Sequence, residues 1–467
     1  MAVVALVVYA AALAAGAAAV WRRPVIAVYA FVVGLAVHNA VMAGLFAAGV
    51  RGDPLTAIAA WKEVLLAVAL LRVVQTAAAE RRLPFRPGAV DILALAFGTL
   101  VLVYAVLPQG WLDGEADAQT VLYALRHHLA PVAAYLLGRS LVLPPVRGLV
   151  LATAAVVAVF GIAEAYLVPI DRWEDADVPA YFDEQLGFEH HGPRGLPENF
   201  VFNTGDEDDL LRRAVSTFLT PLGTAYMLVV ALCLWASRAP ARWPLALLAA
   251  VGLLFTFTRA ALVVLAGALL VLAWVARRWW PVVAAAATLA LGFAWTQAYP
   301  AIAPETSWTQ AEREEQRRIA RERGVTPGET VSLDEPSIRS HLDALEQGTE
   351  TVLEHPQGFG LGNSGAIALR RDVPLKAGES TYTELGVDTG LLGAALFVAW
   401  SLALLLGLVR ARAAGTAAAF AAVLALGVQT DVLGTPWLAY VAWLLAGARL
   451  SAWQSRSTPA PTSGTST

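Results

Sequence analysis

Residues 378–393 read GESTYTELGVDTGLLG, where a long polar segment gives way to a hydrophobic run. Glu379 stands at the junction, and Glu384 and Asp388 follow four residues apart, already inside the apolar pattern. After Asp388 no charge appears until Arg410. About 20 apolar residues, rising about 1.5 Å each, cross the roughly 30 Å hydrocarbon core of a bilayer. The stretch therefore reads as the mouth of a transmembrane helix, and three carboxylates at such a mouth need a reason.

The rest of the chain follows the same pattern. Of 467 residues, 58% are hydrophobic and 15% charged, against about 25% charged in an ordinary soluble protein. The apolar residues come in long blocks, which makes this an all-α polytopic membrane protein. The first block is too long for the apolar core of a signal peptide and no basic segment precedes it, so it reads as a span. A net charge of −4 says little about partners and gives no footprint for nucleic acid. The single cysteine, Cys233, lies within an apolar run, so no intrachain disulfide can form. Abundant Ala, Gly and Arg with scarce Lys fit a high-GC bacterial genome.

Thirteen spans are expected, near 2–20, 25–49, 55–74, 90–107, 120–139, 148–168, 215–236, 243–258, 260–276, 280–298, 381–408, 413–428 and 434–449, with 12–14 as the range. Basic residues in short loops mark the cytoplasmic side. Arg22 and Arg23, Arg72 with Arg81, Arg82 and Arg86, Arg139 with Arg147, Arg238 with Arg242, Arg277 with Arg278, and Arg410 with Arg412 mark alternate connections. The remaining connections then face outward: 108–119, 169–214, a short turn at Arg259, 299–380 and 429–433. The expected units are an N-terminal transmembrane bundle (1–168), an acidic outer loop (169–214), central helices with the Arg259 hairpin (215–298), a helical, lid-like outer loop (299–380), C-terminal helices (381–450) and a disordered cytoplasmic tail (451–467).

The first long loop carries twelve acids against four Arg. The second begins with a charged helical stretch, SWTQAEREEQRRIARERG, with Trp308 expected at the membrane interface. SIRSHLDALEQGTETVLEH follows, with Ile338, Leu342, Leu345 and Val352 roughly at helical spacing. HPQGFGLGNSG then ends the helix. Glycine-rich turns can cradle phosphate through backbone N–H groups. This one matches neither a P-loop nor a dinucleotide motif, and a sharp turn returning the chain to the membrane is the better reading.

Ionisable groups at membrane depth default to functional hypotheses. On the outer side they are Arg212 and Arg213, Arg259, Lys62 and Glu63, Arg126 with His127 and His128, and Glu379. Each has a plain alternative: Arg259 anchoring a hairpin, Arg212 and Arg213 snorkelling to headgroups, Lys62 and Glu63 packing against other spans. Lys62 and Glu63 point about 100° apart on a helix and are not expected to pair with each other. His127 and His128 lack metal-site spacing and read as polar packing. Glu384 and Asp388 share a helix face and read as partners for neighbouring backbone or Arg groups. Taken together, several guanidinium groups on one membrane face suit a bulky anion, because they bind phosphate in bidentate geometry and stay charged. An anion at membrane depth beside long spans points to a lipid-linked phosphate or diphosphate.

Four segments in order resemble the O-antigen ligase / Wzy O-antigen polymerase superfamily of bacterial membrane glycosyltransferases. They are RRAVSTFLTPLGTAYML from Arg212, FTFTRAALVVL around Arg259, the loop helix with EHPQGFGLGNSG, and GESTYTELGVDTGLLG itself, over roughly residues 120–450. The resemblance implies a GT-C-related helical fold. It implies transfer of an oligosaccharide from an undecaprenyl-diphosphate-linked donor to an acceptor glycan at the outer face of the cytoplasmic (inner) membrane. It implies no nucleotide sugar, no cofactor and no metal, and it makes Arg213 and Arg259 the holders of the diphosphate. Where ligases carry His in His–Asn–x–Tyr, this chain has Glu379, which favours a polymerase over a lipid A-core ligase.

The expected mechanism is a single inverting displacement. Arg213 and Arg259 offset charge developing on the leaving diphosphate, and Glu379 orients or deprotonates the acceptor hydroxyl. Arg212, Arg126 and Lys62 are secondary contacts, Arg339 and His341 touch sugar, and Tyr382 stacks on a sugar ring. The bilayer and polysaccharide export or chain-length-control proteins are the further partners. The alternatives are a ligase or protein O-glycosyltransferase of the same superfamily, a lipid-linked sugar transporter or flippase, and a non-enzymatic scaffold. Transporters often show repeated halves with sites near the midplane. No repeat is evident here and the charges gather at one face.

Overall fold

The computed structural model describes residues 2–203, 210–238, 241–323 and 336–457. Nineteen α-helices occur among them. The first seven are α1 (Ala2–Arg22), α2 (Val25–Ala47), α3 (Asp53–Ala59), α4 (Trp61–Glu80), α5 (Ala89–Val106), α6 (Ala118–Ser140) and α7 (Arg147–Leu167). Two short ones, α8 (Asp171–Asp175) and α9 (Val178–Ala180), lie in the first long loop. The central set is α10 (Pro221–Ala236), α11 (Trp243–Phe255), α12 (Arg259–Ala276) and α13 (Trp280–Ala298). The second long loop holds α14 (Gln310–Arg323), α15 (Pro336–Glu354) and α16 (Gly365–Arg370), before α17 (Thr381–Arg410), α18 (Ala414–Leu426) and α19 (Pro436–Ser457).

Each of the thirteen expected spans has a helix at its place. Seven are long and apolar enough to cross a membrane: α1, α2, α5, α7, α12, α13 and α17. Three more, α10, α11 and α18, are apolar but shorter. The others, α4, α6 and α19, carry more charge. The fold is that of an all-α polytopic membrane protein.

Three spans differ from expectation, each for a local reason. The run 55–74 breaks at Ala60 into α3 and α4, because the Trp61 indole packs on Gly34 and its Nε1 donates to His38 Nδ1 at 3.2 Å. Lys62 Nζ donates to the freed Ala59 carbonyl at 2.8 Å. The span expected from 215 begins its α-helix only at Pro221, after a 3₁₀ turn at Ser216–Phe218. Proline lacks an N–H and suits the first helical position. The third departure is in α17, where Gly390 adopts φ 69°, ψ 177° inside the helix. That region is essentially glycine-only.

The break in α17 is plugged by the glycine-rich turn. Phe359 N donates to Val387 O at 2.7 Å and Leu391 N donates to Pro356 O at 2.9 Å. Irregular backbone at membrane depth is tolerated only where protein satisfies it, and the turn supplies those bonds. Gly358 must be glycine, since a Cβ there would meet Val387 O at 2.8 Å.

The core beneath is apolar and aromatic. Trp400, Trp437, Trp443, Tyr135, Phe97 and Phe397 are fully buried, and Trp437 Nε1 donates to Val32 O at 3.0 Å. Arg139, expected to flank a loop, is instead buried. It is neutralised by Asp91 at 2.7 Å, and its other N–H groups reach Ser451, Gln454 and Arg86 O. A buried guanidinium survives only with such a full set of partners.

The two long loops lie together. Strands β1 (Val201–Asn203), β2 (Leu210–Arg212) and β3 (Glu305–Thr306) form an antiparallel sheet in that order, joining 169–214 to 299–380. Arg194 bonds Asp171 and Glu312. Trp308, expected at the membrane interface, is buried against this loop core instead. Backbone left unpaired by two long loops is satisfied by this sheet, a feature that the hydropathy pattern does not encode.

Candidate functional site

The short connection 427–435 organises the face that carries the long loops. At its start, Thr381 N donates to Gly427 O at 3.0 Å and Ser380 Oγ donates to the same oxygen at 3.2 Å, fixing the head of α17. Asp431 lies 3.1 Å from His127 Nε2 on α6. Gln429 Nε2 approaches the Tyr226 hydroxyl on α10 at 3.5 Å. Three helices thus meet one loop, and the charged groups are grouped around it.

Arg213 and Arg259 come together at the α11–α12 turn. Arg213 Nε donates to Thr256 O at 2.9 Å and Nη2 to Thr258 Oγ1 at 3.0 Å, so its guanidinium is held beside residue 259. Burial pulls the Arg213 pKa down to about 10, and the nearby Arg259 charge acts in the same direction. Arg213 therefore stays cationic at neutral pH, in a place that favours a counter-anion. The Arg259 guanidinium also lies over the Phe202 ring, 5.3 Å from its centroid. Tyr226 is within electrostatic range of Arg213, which links this pair to the 427–435 loop.

Arg212 faces the other way, as alternate residues of a strand do. It donates to Val168 O and lies 3.5 Å from Glu164, whose other oxygen accepts from Val215 N at 3.0 Å. Buried and partnered, it ties the sheet to α7 and is removed from the Arg213–Arg259 pair.

Glu379 sits at the mouth of α17 in the left-handed region, φ 67°. Its Oε2 lies 2.6 Å from Nδ1 of His341 on α15. The hydrogen bond to Glu379 raises the His341 pKa above its usual value, against the opposing effect of burial. Helix α15 is held against α17 by close contacts at Gly348 and Thr383 and at Gly386 and Val352. Arg339 belongs to the same helix, but its side chain lies outside the described residues.

Tyr382, expected to stack on sugar, instead donates its hydroxyl to Leu424 O at 2.7 Å and packs toward Phe397. It fastens α17 to α18. Lys62 and Glu63 do approach each other, at 3.6 Å, contrary to the helical-wheel expectation. Both sit in the first turn after the Ala60 break, where the long lysine stem curls back. Glu63 also binds Arg126 at 3.3 Å.

One neighbour of that group was not singled out in the sequence. Arg370 and Arg126 flank the Tyr123 ring at 5.5 and 5.3 Å, which gathers Lys62, Arg126 and Arg370 near one another. The only signal for Arg370 was its place in ALRRDVPLK, a short basic run shortly before Glu379.

Asp388 and the glycine turn form a separate, closed unit. The Asp388 carboxylate accepts from Gly362 N and Asn363 N at 3.1 Å, from Ser364 Oγ at 2.9 Å, and bonds His128 Nε2 at 2.8 Å. The turn does cradle an anion, but the anion is the chain's own side chain. Among the described residues no cluster of His, Cys, Asp and Glu has the grouping of a metal site.

Residues 244–398, about a third of the chain, match the O-antigen ligase family model. This match supports membership of the O-antigen ligase/Wzy superfamily. The segment contains Arg259, the second long loop, His341, the glycine turn, Glu379 and Asp388. Arg213, Arg126, Lys62 and the 427–435 loop lie outside it. A comparison with curated proteins found no match to the chain. The family supports a polysaccharide ligase- or polymerase-type function, of glycosyltransferase character, in a membrane.

Proposed function

We propose that the chain polymerises a cell-surface polysaccharide. It moves an oligosaccharide from an undecaprenyl-diphosphate-linked donor to an acceptor sugar at the outer face of the bacterial cytoplasmic membrane. The observation that carries the chemistry is the 2.6 Å contact between His341 Nδ1 and Glu379. A carboxylate accepting from Nδ1–H fixes the imidazole tautomer and leaves Nε2 as the basic nitrogen, the logic of a His–carboxylate pair in acyl transfer. Glu379 then positions, and His341 takes the proton.

The acceptor hydroxyl gives its proton to His341 Nε2 as its oxygen attacks the anomeric carbon. The bond from that carbon to the diphosphate oxygen breaks, and the configuration inverts. Arg213 and Arg259 bind the departing diphosphate and offset its growing charge. Arg126, Lys62 and Arg370 offer a second cationic group on the same face, suited to phosphate of the acceptor carrier. The GT-C-related architecture and the outward orientation are part of this reading.

The presence of an imidazole beside Glu379 also supports the ligase or protein O-glycosyltransferase reading, in which the acceptor is a different molecule. Incubation with a lipid-linked repeat alone separates the two. A ladder of products means polymerase, and product only on adding a second acceptor means ligase. Arg259→Ala and His341→Ala in a host lacking the native gene test the chemistry itself. Both are expected to abolish long polysaccharide, and normal levels in both would refute the assignment.

A further inference from the structure

On the face opposite the long loops, a cavity of about 260 Å³ opens where α7, α10, α18 and α19 end or begin. Arg147, Arg238, Arg412 and Arg449 line it, together with Ser237 and Trp453. We propose that this cavity is a binding site for a phosphate group, either of an anionic phospholipid headgroup or of a free phosphate.

Four guanidinium groups around one small cavity repel one another unless an anion joins them. The sequence supplies no acid among the lining elements: none occurs in 140–150, in 232–243, in 411–418 or in 446–457. Arg147 donates only weakly to Ser237 Oγ, at 3.4 Å, and its buried Nε has no hydrogen-bond partner among the described residues. A buried donor without a partner costs about 1–3 kcal/mol, which a bound oxygen would recover. Arg238 and Arg412 are exposed at the rim, so the cavity opens to the molecular surface.

The backbone adds to the same field. Helix α18 starts at the cavity wall with residues 413–416, and no side chain caps its first N–H groups. Helix α7 starts at Arg147, also without a side-chain cap. Helix N-termini favour anions. Topology alone accounts for arginines on one face of a membrane protein, but it does not require them to converge on one concave site. Basic pockets between helix ends are the usual receptors of phospholipid headgroups. Trp453 at the rim suits the depth of a headgroup, where aromatic rings concentrate.

The test uses full-length protein in neutral detergent, with two probes: dioleoylphosphatidylglycerol and inorganic phosphate. Native mass spectrometry counts adducts, with dioleoylphosphatidylcholine as the comparison lipid. Wild type is expected to retain phosphatidylglycerol over phosphatidylcholine, and the R238Q/R412Q double variant to lose affinity by about 30-fold, at about fivefold per arginine. Both positions are exposed, so the fold should tolerate the change; a melting curve within a few degrees of wild type verifies that. R147Q is the second variant and should act in the same direction. Phosphate competing at millimolar concentration, with no lipid preference, would identify free phosphate as the ligand. Equal retention of both lipids and of phosphate by wild type and both variants would overturn the proposal.

Discussion

Replacing Glu379 tests the site most sharply, because the residue carries two separable properties. Its backbone is left-handed, which costs a non-glycine residue roughly 1–2 kcal/mol. Its carboxylate bonds His341. Glu379→Gly removes the strain, while the added freedom of the unfolded chain costs about 1 kcal/mol. The two nearly cancel, so the melting temperature in detergent should stay within a few degrees of wild type. Transfer activity should fall by roughly 10²- to 10⁴-fold, the usual worth of a positioned general base. Glu379→Gln isolates the charge. It keeps an acceptor oxygen for Nδ1–H but withdraws the interaction that raises the His341 pKa. A raised pKa keeps the imidazole protonated, and inactive as a base, up to a higher pH. In Glu379→Gln the acid limb of the kcat/KM profile should therefore move to lower pH, even as the plateau drops. The assay is transfer from a lipid-linked donor across pH 5 to about 9, where His titrates. Wild-type activity in Glu379→Gly within about threefold, or an unmoved acid limb in Glu379→Gln, would refute the pairing as the chemical centre.

Further outcomes follow from the geometry. Arg212→Ala should lower the yield of folded protein, by about 3–5 kcal/mol of lost stability, because it strands buried Glu164; Arg213→Ala should leave folding near normal and remove transfer, read by thermal melting beside activity. Asp388→Ala strands two backbone donors, a hydroxyl and His128, so a loss of several kcal/mol and failure to purify a monodisperse protein are expected. Gly390→Ala forces a Cβ to within 2.6 Å of Pro356 O at a glycine-only conformation, and should destabilise by more than about 3 kcal/mol in denaturant or heat. Tyr382→Phe should cost about 1 kcal/mol through the lost bond to Leu424 O while transfer continues, since the ring is engaged with the protein.

The hydropathy pattern made the helices legible, because a bilayer demands long apolar runs and nothing else in a chain looks like them. It placed a helix at each expected span and marked Arg213, Arg259 and Glu379 as unusual. It was silent on what happens inside a run. The breaks at Ala60 and Gly390 depend on a tryptophan seated on one glycine and a loop seated on another, which are contacts distant in sequence. The partner of Glu379 was likewise out of reach. His341 stands 38 positions earlier on another helix, and only packing of α15 on α17 brings them together. Adjacent arginines showed the same limit, since strand alternation sends Arg212 to Glu164 and Arg213 to the hairpin. The bond of the Tyr382 hydroxyl to Leu424 O, which fastens α17 to α18, likewise has no mark in the sequence.

The seating of the glycine turn in the α17 break also makes a lever of α15. Its C-terminal end is pinned through the turn to α17, and farther along it Gly348 packs against Thr383. His341 is seven residues beyond that contact, about 10 Å at a helical rise of 1.5 Å per residue. A tilt of roughly ten degrees about the fulcrum would carry the imidazole nearly 2 Å, enough to part it from Glu379. On the proposed reading, the geometry of the His341–Glu379 pair is therefore set by how α15 rests on α17, not by either residue alone.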